Sequence, residues 1–358
     1  MLTVVPTIDV EGTHGDDPFA QLIVGEVGES QTWGVYRLTR IFRNCGISAT
    51  FFVDCYEYTF WGEGKMEDVC QRLVGADQDV QLHTHPSWRD DIHDSHWVRT
   101  LKRTNSYLPQ ELDFMAKLSY SQQVEVLERG AELIQKWVGY RPRVHRSGGY
   151  SINRETIQAL LKTGFLMDSS MNSAHSNSKI HWSVNRFACK DGLIELPVTV
   201  LNYTFGLPLG FATLPIYTKR MKTDLDSCTV EDIISYVRQG RDMGLKVLNL
   251  FMHSYSLLKF DPFFRSVQSD PADLDKLSTL LKRLSGMTGV RFMSCADLLR
   301  AYQKDPAEFE GPDGIPSVRC NLRIMRFALQ KARNLVADSV ARTWDNYRPE
   351  DPSDEARK

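Results

Sequence analysis

Paired cysteines are missing from this chain. Its seven cysteines, Cys45, Cys55, Cys70, Cys189, Cys228, Cys295 and Cys320, are odd in number and scattered, with no CxxC. That argues against a disulfide framework and for a reducing compartment. No stretch approaches the ~20 consecutive apolar residues that a membrane span needs. The opening MLTVVPTIDVEG lacks the basic head and long apolar core of a signal peptide, so a cytoplasmic protein is expected. Charge of one sign is also missing: 43 Lys plus Arg stand against 45 Asp plus Glu, a net charge of -2. No global field therefore draws the chain to nucleic acid. Internal repeats and low-complexity tracts are absent.

What is present is material for a large core. Of 358 residues, 42% are hydrophobic, and a (β/α) barrel commonly takes about 250 residues. Short apolar runs at 2–9, 48–54, 80–85, 143–146, 166–168, 193–196, 247–253 and 290–293 read as strands. Amphipathic segments at 34–43, 66–73, 121–138, 152–162, 230–243 and 273–284 read as helices, with Ser151 and Thr229 as N-caps of the fourth and fifth. This alternation predicts an α/β fold, a distorted (β/α) barrel of seven or eight strands. Two long stretches, 86–118 and 172–190, interrupt it as rim insertions. The expected organisation is a barrel over 1–302, a linker over 303–317, a basic amphipathic helix over 318–347 and a tail over 348–358.

Several polar residues fall at the C-terminal ends of the proposed strands, which converge on one mouth in a barrel. Asp9 and Glu11 are two apart, and so are His83 and His85. A period of two puts each pair on one side of its strand. One carboxylate with two imidazoles is a facial set that leaves positions open on a divalent metal. His253 ends the seventh strand, Arg146 the fourth and Asp168 the fifth. His14 is a candidate spare ligand, while His93, His96 and His175 read as surface or rim residues.

The succession TIDVEG, GISATFFVD, DVQLHTHPSW, VHRSGGYSI, FLMDSSM and LNLFMHS resembles the polysaccharide deacetylases of carbohydrate esterase family 4 over residues 3 to 295. That resemblance implies a distorted (β/α) barrel that hydrolyses N-acyl groups on amino sugars with zinc or a similar divalent ion. It implies Asp9 as general base on a metal-activated water, Glu11, His83 and His85 as metal ligands, and Arg146 as the group that orients Asp9. His253 would be the general acid, with Asp168 supporting it or its neighbours and the backbone near Gly149 or Tyr150 helping to stabilise the oxyanion. Two departures from the usual pattern stand out. Val10 separates the two acids of the first motif, and Ser87 stands where a second histidine four residues on would be.

The substrate expectation is an amino sugar in a glycan precursor, nucleotide-linked, lipid-linked or an oligosaccharide, for cell-surface polysaccharide synthesis. Trp88, with Trp97, Tyr107, Phe114 and Trp182 in the insertions, offers rings for stacking on a sugar or for packing the insertions onto the barrel. Deformylation, hydrolysis of another non-peptide amide, and a silent carbohydrate-binding homologue stay open as alternatives. In 318–347, Leu322, Met325, Leu329 and Val336 alternate with Arg319, Arg323, Arg326 and Arg333. Such a helix suits peripheral contact with the inner membrane surface, packing on its own barrel, or a homo-oligomer.

Overall fold

The first strand, β1 (Leu2–Val10), is buried at every position, as expected where a parallel strand is covered on both faces. The structure, a computed structural model, describes residues 1–12, 17–89, 113–209, 212–260 and 266–319. Two units divide it: Met1–Asn202 with Lys219–Val318, and Tyr203–Thr218 with the chain beyond Val318.

In the first unit, β1 is followed by α1 (Val35–Asn44), β2 (Thr50–Asp54), α2 (Tyr58–Trp61), α3 (Glu63–Val74) and β3 (Asp79–Thr84). Next come α4 (Tyr120–Val138), β4 (Val144–Ser147), α5 (Arg154–Lys162), β5 (Met167–Asp168), β6 (Ala188–Lys190) and β7 (Leu193–Glu195). After a hairpin of β8 (Val200–Leu209) and β9 (Ala212–Lys222), the chain continues through α6 (Val230–Asp242) and β10 (Val247–His253). The small strands β11 (Leu258–Phe260) and β12 (Val267–Ser269) precede α7 (Pro271–Ser285), β13 (Val290–Phe292), α8 (Cys295–Lys304) and β14 (Ser317–Arg319). All eight expected strands and six expected helices are found.

These strands make one curled sheet in the order β10-β1-β2-β3-β4-β5-β7-β6, with β13 also on β1. Every pairing is parallel except β6 with β7. The α/β expectation of a distorted barrel holds, and the distortion has a physical cause. Among the described residues, no regular strand joins β7 to β10. Irregular chain does so instead: Thr223 N–H donates to Thr199 O at 2.7 Å and Leu225 N–H to Phe251 O at 3.1 Å. The β8–β9 hairpin occupies the sequence where one more βα repeat would stand.

The opposite end of the barrel is plugged. The first residues of β2 and β3, Thr50 and Asp79, accept hydrogen bonds from Cys295 N–H at 2.7 Å and Ala296 N–H at 3.0 Å. That anchors the start of α8 beneath the strands. Cys295, Leu298 and Leu299 then join Val5, Phe52, Val144, Met167 and Val247 in the core. Phe309, 1% exposed, packs in this same cluster, with Phe187 and Tyr302 against it. The 303–317 stretch, expected as a linker, thus contributes to the core.

Close approach elsewhere depends on Gly130 in α4, where a Cβ would lie 2.9 Å from Leu82 Cδ1 of β3. Thr229 caps α6 as expected, accepting from Asp232 N–H. Asn153 rather than Ser151 caps α5; the Ser151 carbonyl accepts instead from the Ser147 hydroxyl at 2.8 Å. In the second unit, the Thr204 and Thr218 hydroxyls lie 3.2 Å apart across the hairpin. The expected helix from 318 begins in β14, and its remainder and the tail lie outside the described residues. Among the described residues, no helix is long and apolar enough to cross a membrane.

Phe309→Ala should destabilise the protein by about 3–5 kcal/mol, the usual cost of emptying a buried aromatic site. Urea unfolding checks this; a loss below 1 kcal/mol would mean that the segment is merely draped on the barrel.

Candidate active site

Parallel register brings the strand ends together. Asp9 pairs with His253 across β1 and β10, and His83 with Arg146 across β3 and β4. Arg146 is fully buried. Its Nη1 donates to Asp9 Oδ1 at 2.7 Å and its Nη2 to Thr7 Oγ1 and Ser169 Oγ at 3.0 and 2.9 Å. Nε donates to Ser169 O at 3.1 Å. Phe52 and Phe251 lie against the guanidinium, with ring centroids 4.2 and 5.0 Å away. A buried cation is tolerated only when paired and saturated with acceptors, and this arrangement meets both conditions. Asn249 ties the frame together, accepting from the Thr7 hydroxyl at 2.7 Å and donating to Ser169 Oγ at 3.1 Å.

As neutral rings, the imidazoles would face Glu11 with their Nε2 lone pairs. His83 Nδ1 lies 2.8 Å from the Arg146 carbonyl, which can only accept, so that nitrogen carries the proton. His85 Nδ1 likewise faces the Asp113 carboxylate at 3.1 and 3.2 Å. Both Nε2 atoms then converge on Glu11 Oε2, at 3.1 Å from His83 and 2.9 Å from His85. Three acceptors this close repel one another unless a cation sits among them. The donor chemistry and spacing fit a divalent ion with ligands at about 2.0–2.2 Å, and the three ligand atoms lie within 4.8 Å of one another. Glu11, His83 and His85 could therefore hold the metal. Burial alone would raise the Glu11 pKa, but hydrogen bonds from His83 and His85 and the charges of His85 and His253 hold it well below the usual range. Burial also opposes a charge on His85, yet Asp113 and Glu11 push its pKa well above that of a free imidazole.

Glu11 is held from two further sides. Tyr255 donates to Glu11 Oε1 at 3.0 Å. Gly12 N–H donates to the buried Glu57 Oε1 at 2.6 Å, fixing the backbone just past Glu11. Asp9 Oδ2 stands 3.9 Å from His83 Nε2. His253 Nε2 lies 3.8 Å from Glu11 Oε1, and its Nδ1 lies 3.5 Å from Asp226 Oδ2. Its ring stacks on Tyr255 at 4.7 Å and 11°. Burial would raise the Asp226 pKa, but His253 and Lys222 hold it below the usual range.

Not every expected residue is in this cluster. Asp168 bonds to His145 Nδ1 at 2.8 Å and to the Ser170 hydroxyl at 2.9 Å rather than supporting His253. His145 passes the chain on to Thr84 Oγ1 at 2.9 Å. Strand register explains this: Asp168 pairs with His145, not with a mouth residue. Beside it, burial and the Asp168 charge push Glu195 far above the usual carboxylate range, so it is held neutral. Trp88 is corrected too. At 3% exposed it is no stacking platform for sugar, because it packs edge-on to Phe60 at 5.1 Å and against Trp61 at 5.9 Å. Gly149 and Tyr150 lie at the mouth with left-handed backbones, φ +56° and +60°. Tyr150 faces Phe251 and the exposed His175, and its hydroxyl is 3.4 Å from Lys222 Nζ. Phe114 lies against Gly149, 2.9 Å from where a Cβ would stand. Trp182, half-buried, lies 5.9 Å under Lys190 Nζ. His14, His93, His96, Trp97 and Tyr107 lie outside the described residues.

Asp113, Lys222, Asp226 and Tyr255 escaped the sequence reading. Only Tyr255 left a signal, since it follows His253 at the same two-residue spacing that joins Asp9 to Glu11.

Residues 31–167, including His83, His85 and Arg146, match the family model described as polysaccharide deacetylase. Over that stretch the chain is similar to the polysaccharide deacetylases. Asp9, Glu11 and His253 lie outside the matched stretch. The fold is similar to that of a protein described as a polysaccharide deacetylase from Mycobacterium smegmatis. That structure is 17% identical with a TM-score of 0.51, over 90% of this chain and 95% of the other. It is also similar to Puue allantoinase, 13% identical with a TM-score of 0.50, over 85% and 91% of the two chains. No curated protein matches this chain in sequence.

Two expectations follow. With its raised pKa, metal-free His85 keeps a proton at neutral pH that an ion must displace. Apparent zinc affinity should therefore rise with pH until the His85 pKa is passed, with proton release visible by calorimetry in buffers of different ionisation enthalpy. Affinity independent of pH between 6 and 8 would contradict this. Glu195→Gln should raise the melting temperature, and by more as pH increases. The wild-type carboxyl must stay protonated when folded but ionises above about pH 4.3 when unfolded, so native stability falls with pH until the raised folded pKa is reached. A pH-independent difference between the two proteins would mean that Glu195 is ionised in the fold.

Proposed function

We propose that the protein is a metal-dependent N-deacetylase of an amino sugar in a glycan precursor. The observation that carries this reading is the meeting of Glu11, His83 and His85 between Asp9, locked by Arg146, and His253. A divalent ion there, zinc by its one-carboxylate, two-imidazole donor set, would polarise the amide carbonyl and lower the pKa of water from 15.7 toward ~7.

The residues divide the remaining work. Arg146 occupies Asp9 Oδ1, which leaves Oδ2 to accept the proton of the attacking water. His253 stands on the neighbouring strand to deliver a proton to the departing nitrogen, without which an amine cannot leave. Tyr255, stacked on its ring, and Asp226, 3.5 Å from its Nδ1, restrict how that ring can turn. The mouth around Gly149 and Tyr150 is the proposed seat of the acylated sugar, and the backbone N–H groups there are candidate oxyanion donors. The odd number and scattered spacing of the cysteines in the sequence are the ground for proposing a reducing compartment and so an intracellular, nucleotide- or lipid-linked substrate.

His253→Ala should keep its metal and lose activity by about 10²–10⁴-fold, the share of one general acid. Glu11→Ala and His83→Ala should lose the metal itself. Elemental analysis beside acetate release from a panel of acylated nucleotide sugars checks all three. Parent-rate turnover by His253→Ala would remove it as the acid, and full metal in Glu11→Ala would remove the ligand set. Release of formate in place of acetate would make the enzyme a deformylase.

A further inference from the structure

The two metal-facing histidines are two residues apart, although β3 ends at Thr84 and His85 lies beyond it. Strand geometry alone therefore does not aim the second ring. Two other features do. Asp113, from the far end of the 86–118 insertion, lies 3.1 Å from His85 Nδ1 and accepts the Ser87 hydroxyl at 2.6 Å. Ser87 is thus engaged as a donor that steadies this carboxylate. On the other side, Gly148 lies against the imidazole. A Cβ there would stand 2.5–2.6 Å from Cε1, Nε2 and Cδ2, closer than any real contact.

We propose that Asp113 and Gly148 are positioning residues that make His85 a metal ligand: the carboxylate fixes its tautomer and the glycine leaves the slot for its ring. The inference rests on the reading of Glu11, His83 and His85 as the metal site. A proton on Nδ1 leaves Nε2 as a lone pair toward Glu11, whereas a proton on Nε2 would aim an N–H at the cation. A carboxylate behind a ligating imidazole also raises its basicity, and losing such a partner typically costs 10–100-fold in affinity. Asp113 thus joins the end of the rim insertion nearest α4 to the metal site.

The test is zinc affinity of the full chain by chelator competition, with the melting temperature of each metal-free protein as a folding control. Asp113→Asn should bind zinc about 10–100-fold more weakly, Asp113→Glu should recover part of the loss, and Gly148→Ala should lose at least as much as Asp113→Asn. Ring-nitrogen NMR of the zinc-loaded wild type should show His85 protonated at Nδ1, a measurement that does not depend on any variant folding. Affinities within twofold of wild type in both Asp113→Asn and Gly148→Ala, or a proton on Nε2, would overturn the proposal and leave the metal site standing. A wild type that binds no zinc would remove the metal site and this inference with it.

Discussion

Electrostatic repulsion among three convergent acceptors governs this site. Glu11 Oε2 is shared by two imidazole nitrogens whose opposite ring positions have already spent their protons on Arg146 O and Asp113. A carboxylate facing two lone pairs at hydrogen-bonding distance is stable only around positive charge, whether a proton or an ion. The surroundings maintain that demand. Glu57 pins the backbone after Glu11, Tyr255 occupies its second oxygen, and the buried guanidinium of Arg146 keeps the adjacent carboxylate, Asp9, from swinging into the cluster.

The barrel is organised to leave one end for this and to close the other. At the closed end α8 is hung from Thr50 and Asp79, and Phe309 fills the space beneath the strands. At the open end, strand regularity stops between β7 and β10, where Thr199, Thr223 and Asn249 exchange bonds across irregular chain. Lys222 and the acids at 224 and 226 enter beside that seam. An irregular backbone can present side chains at spacings that a period-two strand cannot, and Asp226 reaches His253 from there.

Much of this was legible because buried parallel strands read as unbroken apolar runs and their ends mark the mouth. Asp9, Glu11, His83, His85, Arg146 and His253 could all be found by spacing at strand ends. Asp168 shows the limit of that rule, since a strand end fixes height in the barrel but not which neighbour a side chain meets. His145, one strand over, takes it. Trp88 shows another limit: in a polar insertion its ring looked available, but the turn at Pro86–Trp88 folds it onto Phe60 and Trp61. Asp113 lies 28 residues from His85 in sequence and is brought there by tertiary packing that no local periodicity encodes.

The register of Asp9 opposite His253 has a consequence for how such an enzyme can change. The proposed base and acid sit on hydrogen-bonded neighbours, so their separation is set by the ladder between two strands and not by any loop. Loops around the mouth can lengthen, shrink or be exchanged for a different sugar while the span across which a proton is taken and returned stays the same. New specificity is then accessible to this scaffold without rebuilding its chemistry.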